Sequence, residues 1–198
     1  ARRWLVAFAF ALLVPGTAAA ALTIVTASER GTYIRIGQDL AKYVAPAAGF
    51  DLVAAPSAGS VDNVRRLRHE SGVKFALVQS DVYQRYVDMA ASGHANAASL
   101  IRPLRVILPL YNEEIYFVVR ADAPWTYVHE IRDARLNAGE VGSGTALTAA
   151  TLWRLMFGTD LPEQRTTYEP NEQALVRLIT DRSVDVVSHW QWHTFQAA

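Results

Sequence analysis

Leu22-Thr23-Ile24-Val25-Thr26, then Ala27-Ser28-Glu29-Arg30-Gly31, then residues 32–44 form the stretch that decides the fold. The first five residues are all apolar or β-branched and read as a buried strand, and the polar, glycine-ended segment after them reads as a loop. Ile36, Leu40 and Val44 then recur at helical spacing until Pro46 and Gly49 stop the pattern. One such unit fits many folds, but here the unit repeats. Residues 51–55 predict a second strand, Ser57-Ala58-Gly59-Ser60 a small-residue loop, and Val61, Val64 and Leu67 the inner face of a second helix. The outer face of that helix carries Arg65, Arg66 and Arg68 and reads as solvated, with docking to a membrane partner as the alternative. Residues 75–78 predict a third strand, after which Gln79-Ser80-Asp81 caps a helix through Val82, Tyr86 and Met89. Three strand-loop-helix units in succession imply a parallel sheet covered on both faces.

Beyond a loop expected at 93–99 the texture changes. Residues 104–110 and 115–119 read as two apolar strands separated by Tyr111-Asn112-Glu113-Glu114, and they mark a crossing into a second lobe. That lobe is expected to hold a strand at 136–141, a tight loop Gly142-Ser143-Gly144-Thr145 and a helix over 146–157 ended by Gly158. A helix over 172–180 and a strand over 184–188 follow. The expected organisation is a first α/β lobe over 21–104 and a hinge with a second α/β lobe over 105–198.

Residues 1–20 stand apart. Arg2 and Arg3 precede an unbroken apolar run from Trp4 to Val14, followed by Pro15-Gly16 and an alanine-rich end, which is the pattern of a cleaved secretory signal. As a helix that run rises only about 16 Å, short of the roughly 30 Å hydrocarbon core. Export to the periplasm with cleavage after Ala20 or Ala21 is the expectation. The 198 residues carry 19 basic and 19 acidic side chains, so no global field attracts nucleic acid or an anionic membrane. With no cysteine, thiol nucleophiles, disulfides and thiolate metal sites are excluded.

In open α/β sheets, ligands settle where strands end and helices begin. Four such points here carry small hydroxyl, amide or glycine residues: Ser28 with Gly31, Thr32 and Tyr33; Ser57 to Ser60; Gln79 with Ser80; and Gly142 to Thr145. Free N–H groups and the positive end of a helix dipole suit these points to a carboxylate or another anion. Singly, such residues also serve as ordinary caps and turn formers.

The series of four, from Ser28-Glu29-Arg30-Gly31-Thr32-Tyr33 through Ser57-Ala58-Gly59-Ser60-Val61-Asp62-Asn63 and Ala76-Leu77-Val78-Gln79-Ser80-Asp81 to Val141-Gly142-Ser143-Gly144-Thr145, resembles the TAXI family. These are the extracytoplasmic solute-binding proteins of TRAP-type (tripartite ATP-independent periplasmic) transporters. The resemblance spans residues 22–187. It implies a type II periplasmic-binding-protein fold, two α/β lobes closing on a small organic anion such as glutamate or a dicarboxylate, and delivery to the membrane permease subunits. It implies no catalysis and no cofactor. The ligand contacts it suggests are Ser28, Thr32, Tyr33, Ser57, Ser60, Gln79 and Ser80 from one lobe and Ser143, Gly144 and Thr145 from the other. Two departures stand out. Arg30 replaces a glycine usual in the family, and it either contacts the anion or points to solvent. The family also usually continues past the strand expected at 184–188, whereas this sequence stops at Ala198, which reads as a fragment or a shortened relative.

Sharper chemistry finds little support. His189 and His193 are four apart, as helical zinc ligands are, but no carboxylate adjoins them. Gly142-Ser143-Gly144 lacks the third glycine of a dinucleotide fingerprint, with Leu147 in its place. Ser143 is not in a Gly-x-Ser-x-Gly elbow, which leaves a hydrolase using Ser143 and His189 as the alternative from another class, beside a ligandless sensor of the same fold. Glu113 and Glu114 are adjacent between strands and so tend to point oppositely, one of them towards a hinge or solvent.

Overall fold

The structure is a computed structural model and describes residues 20–191. The first three predicted units form one sheet: β1 (Leu22–Val25) lies between β2 (Leu52–Ala55) and β3 (Val73–Ala76), and all three run parallel. Helices α1 (Thr32–Asp39), α2 (Ser60–His69), α3 (Ser80–Ala91) and α4 (Ala95–Ile101) surround it. The parallel register, Leu22 opposite Leu52 through Val25 opposite Ala55, brings the loops after the strands to one end of the sheet. Ile24, Val25, Val64, Val73 and Val82 are buried beneath the helices.

The second sheet has the order β4 (Glu114–Val119), β7 (Val186–Gln191), β5 (Leu136–Asn137), β6 (Thr166–Thr167). β4 pairs antiparallel to β7, and the remaining pairs are parallel. Side chains alternate across a strand, and here both faces are buried. Phe117, Val119 and Val186 pack with Ile131, Leu136 and Trp153 on one face, while Val118 and Val187 pack with Ala174, Leu178 and Val184 on the other. The long helix α5 (Gly144–Phe157) supplies Trp153 to the first cluster and α6 (Asn171–Ile179) supplies Ala174 and Leu178 to the second. The molecule is thus a mixed α/β fold of two lobes, as the repeating units predicted.

Several local expectations are corrected. Residues 104–110 form no strand: Pro103 and Pro109 lack donors, no described strand pairs with the segment, and Val106, Ile107 and Leu108 stay exposed. Residues 95–101, expected within a loop, form α4, because Ala97, Ala98 and Ile101 supply a small buried stripe. β5 ends after Asn137 instead of reaching residue 141, since Gly139 turns the chain with φ of 93°. The helix after Thr32 loosens into a π turn over Leu40–Val44, and then a 3-10 turn over Pro46–Ala48 ends on left-handed Gly49. β3 starts two residues earlier than expected and β7 two residues later.

One buried side chain sets the end of the first sheet on which the loops converge. Asn63, fully buried in α2, donates from Nδ2 to the Thr26 carbonyl at 2.6 Å and to the Leu77 carbonyl at 2.7 Å. It thereby clamps α2 to the chain leaving β1 and the chain leaving β3. Asn63→Ala strips both buried carbonyls of their donor, at about 1–3 kcal/mol for each group left unsatisfied. The expected outcome is a loss of about 2–6 kcal/mol in urea unfolding at unchanged m value. Arg65→Ala, which removes only an exposed pair with Asp62, should stay within about 0.5 kcal/mol of the parent.

Candidate functional site

The loops at the end of the first sheet meet the start of α5 in the second lobe along a tight seam. The Asp62 amide of α2 donates to the Gly142 carbonyl at 3.1 Å, and the Thr148 hydroxyl of α5 donates to the Asp81 carboxylate of α3. Gly59, just before α2, has φ of 121°, and a β-carbon there would lie 3.1 Å from the Ser143 α-carbon. Only glycine permits both that backbone and that approach. Across the seam, a β-carbon on Gly144 would fall on the Gln79 side-chain amide and 3.2 Å from Ser60 Oγ.

These contacts gather one polar cluster. Tyr33, in the first turn of α1, donates its hydroxyl to Glu113 Oε2 at 2.8 Å. Gln79 donates from Nε2 to the same oxygen at 3.2 Å, and the Tyr111 hydroxyl donates to Glu113 Oε1 at 3.3 Å. Buried Ser60 accepts from the Gln79 backbone amide at 3.0 Å. Tyr33 and Tyr111 meet edge to face at 6.4 Å between ring centres. Burial first, and then the charge of Glu113, push both phenols far above their ordinary range, so they act as neutral donors. The Gln79 carbonyl oxygen is buried with no hydrogen-bond partner.

Of the residues singled out in the sequence, the seam brings together Tyr33, Ser60, Gln79, Ser143 and Gly144. The others lie differently. Ser28 is exposed beside Gly31, and Thr32 is the half-buried first residue of α1. Ser57 Oγ accepts from the Gly59 amide within its own loop, and Ser80 is exposed at the start of α3. Thr145 packs over Gly139 inside its own lobe. Ser143 Oγ accepts from the Ala146 amide at 3.1 Å and caps α5. Arg30 is exposed. Beside the cluster a cavity of about 370 Å³ opens, with Val61 and Arg85 on one side and Val141, Ser143, Leu147 and Arg154 on the other.

Glu113 was singled out in the sequence with Glu114 but not counted among the site residues. The alternation of neighbouring side chains was the available signal: Glu114, the first residue of β4, is exposed and takes the Tyr116 hydroxyl, whereas Glu113 turns inward. The zinc and hydrolase alternatives gain nothing here. His189 sits in β7, with Nδ1 3.0 Å from Asn171 Nδ2, and His193 lies outside the described residues. Among the described residues no hydrogen bond joins Ser143 to His189, and no three His, Asp or Glu side chains gather as a metal site would require.

The seam thus gathers neutral hydroxyl and amide donors, one carboxylate and the start of a long helix. The sequence model of the NMT1-like family matches residues 24–192. The chain belongs to that family, which comprises solute-binding proteins with a periplasmic-binding-like fold.

Two outcomes follow from this geometry. Gly144→Ala drives a methyl group into the Gln79 amide, so it should destabilise the protein, and Gln79→Ala should restore most of the loss. A double-mutant cycle in urea is expected to give a coupling of about 0.5–3 kcal/mol, and purely additive effects would refute the contact. Burial holds the His189 imidazole below its ordinary value of 6.5. An unfolded chain then binds a proton that the native state refuses, so this contribution to stability is present above about pH 6.5 and declines as the pH falls through the lower native value. His189→Gln should flatten that part of the stability–pH curve.

Proposed function

We propose that this member of the NMT1-like family is an exported solute-binding protein of the TAXI type. It captures a small organic anion, an amino acid or a dicarboxylate, between its lobes and delivers it to the permease of a TRAP-type transporter, without chemical change. The supporting observation is the seam itself. The loops that follow β2 and β3 in one lobe, with the start of the helices they lead into, meet the start of α5 in the other, and a solute held there would touch both lobes at once.

In mechanism, the contacts from Asp62 to Gly142 and from Thr148 to Asp81 break as the lobes part, and the hinge lies near residues 104–120. The binding contacts in this reading come from Ser28, Thr32, Tyr33, Ser57, Ser60, Gln79 and Ser80 on one side and from Ser143, Gly144 and Thr145 on the other. A ligand that bridges both sides favours the shut arrangement by the difference between its affinities for the two states. Residues 1–20 act as the export signal in this reading, with lobes over 21–104 and 105–198. A TAXI assignment further rests on the four-loop series around Ser28, Ser57, Gln79 and Ser143.

The test is thermal unfolding against millimolar amino acids, dicarboxylates and 2-oxo acids. A ligand present at one hundred times its dissociation constant adds about 2.7 kcal/mol and raises the midpoint by several degrees. Gly144→Glu and Ser143→Glu, which set a carboxylate at the start of α5, should abolish the shift. A midpoint that no compound moves, or a shift that survives both changes, overturns the assignment.

A further inference from the structure

Two adjacent acceptors in the seam are poorly served. Glu113 is half buried, yet its three hydrogen bonds come from the neutral groups of Tyr33, Gln79 and Tyr111. Among the described residues none of the ion pairs includes it, although arginines are paired with Asp62, Glu70, Asp122, Asp133, Asp160, Glu169 and Asp185. A carboxylate drawn out of water regains its hydration energy best from a cation. The second acceptor is Gln79 Oε1. By turning Nε2 to Glu113, this amide leaves its own oxygen buried without a donor, laid against Gly144. No flip of the amide cures both, because the oxygen would then face the carboxylate.

One chemical group supplies what both lack. An ammonium carries a positive charge and three N–H donors. We propose that Glu113 is the counter-ion for an ammonium group on the solute, which takes the place of Gln79 Nε2 on Oε2 and gives a further N–H to Gln79 Oε1. The amide also touches Gly144, the first residue of α5, so a group held there borders the positive end of a helix of 14 residues. That position suits a carboxylate on the carbon next to the ammonium. The solute class is therefore an α-amino acid, and the fixed charge of Glu113 disfavours a dicarboxylate, whose carboxylates it repels. This inference rests on the solute-binding reading above and narrows it.

The experiment is calorimetric titration of the purified protein with L-glutamate against glutarate and L-leucine against 4-methylpentanoate, pairs that differ in the ammonium alone. At least one amino acid should bind about tenfold or more tighter than its partner, the ratio that one charge-assisted hydrogen bond supplies. Glu113→Gln keeps the side chain's shape and removes its charge, and it should collapse the preference. Glu114→Gln, at the exposed neighbour, should keep it. Urea midpoints near the parent's establish that each variant is folded. Tight binding of glutarate with no preference for L-glutamate overturns this inference and leaves the solute-binding reading standing, as does a preference that survives Glu113→Gln. Binding by none of the four compounds overturns this inference, and the solute-binding reading falls with it when no compound of the wider thermal panel moves the unfolding midpoint either.

Discussion

The candidate site depends on where Asn63 is held. Its side-chain amide joins three pieces of chain that have no local reason to meet: α2, the exit of β1 at Thr26 and the exit of β3 at Leu77. The Thr26 hydroxyl extends the clamp to the Ala55 carbonyl at the exit of β2. Parallel strands deliver their loops to one end of a sheet but do not fix the loops against each other. Two short hydrogen bonds in a dry interior do so, because breaking them strands two carbonyls where water cannot reach. Ser60, three residues before Asn63 on the same helix, is positioned by this clamp to receive the Gln79 backbone amide.

The second lobe solves the same problem differently. Asn137, fully buried at the end of β5, bonds through its side chain to Glu169, Thr167 and Asn171, while its carbonyl accepts from the Ser188 hydroxyl. That network fixes the exits of β5 and β6 against β7 and α6. The chain then turns at Gly139 and Gly142, both at positive φ, and enters α5 under the Ser143 cap. Each lobe thus presents a preset polar edge, and the seam forms where the two edges meet.

Much of this was legible in the sequence because it is local. Strand runs such as 22–26, the stop at Pro46 and Gly49, and the Ser143 cap with left-handed Gly158 at the far end of α5 are decided within a few residues. What escaped is decided at a distance. Residues 104–110 have a strand's composition, but a strand needs a partner, and no described strand offers one. α4 is built on alanines too small to announce a hydrophobic stripe. At the seam, the sequence showed small polar residues at loop ends but not which of them face across: Ser57 and Ser80 carry the same chemistry as Ser60 and yet serve their own loop or face solvent. Glu113 was half legible, since alternation sends it and Glu114 opposite ways without saying which turns inward.

The strengths of the seam contacts bear on how it would work. A gate made of strong, fully satisfied bonds would exclude solute, and one with no contacts would not report that it had closed. Here the carboxylate at the centre is held by bonds of 2.8, 3.2 and 3.3 Å from neutral donors, and one amide oxygen goes unserved. Only the surplus of a solute's contacts over those it displaces appears as affinity. Because the one displaced bond, from Gln79, lies at the long end at 3.2 Å and its own oxygen is unsatisfied, that deduction would be small for a solute with matching donors. For a solute that brings another acceptor to Glu113 it is large. On the proposed amino-acid reading, the cluster would discriminate by the sign of the group placed against it.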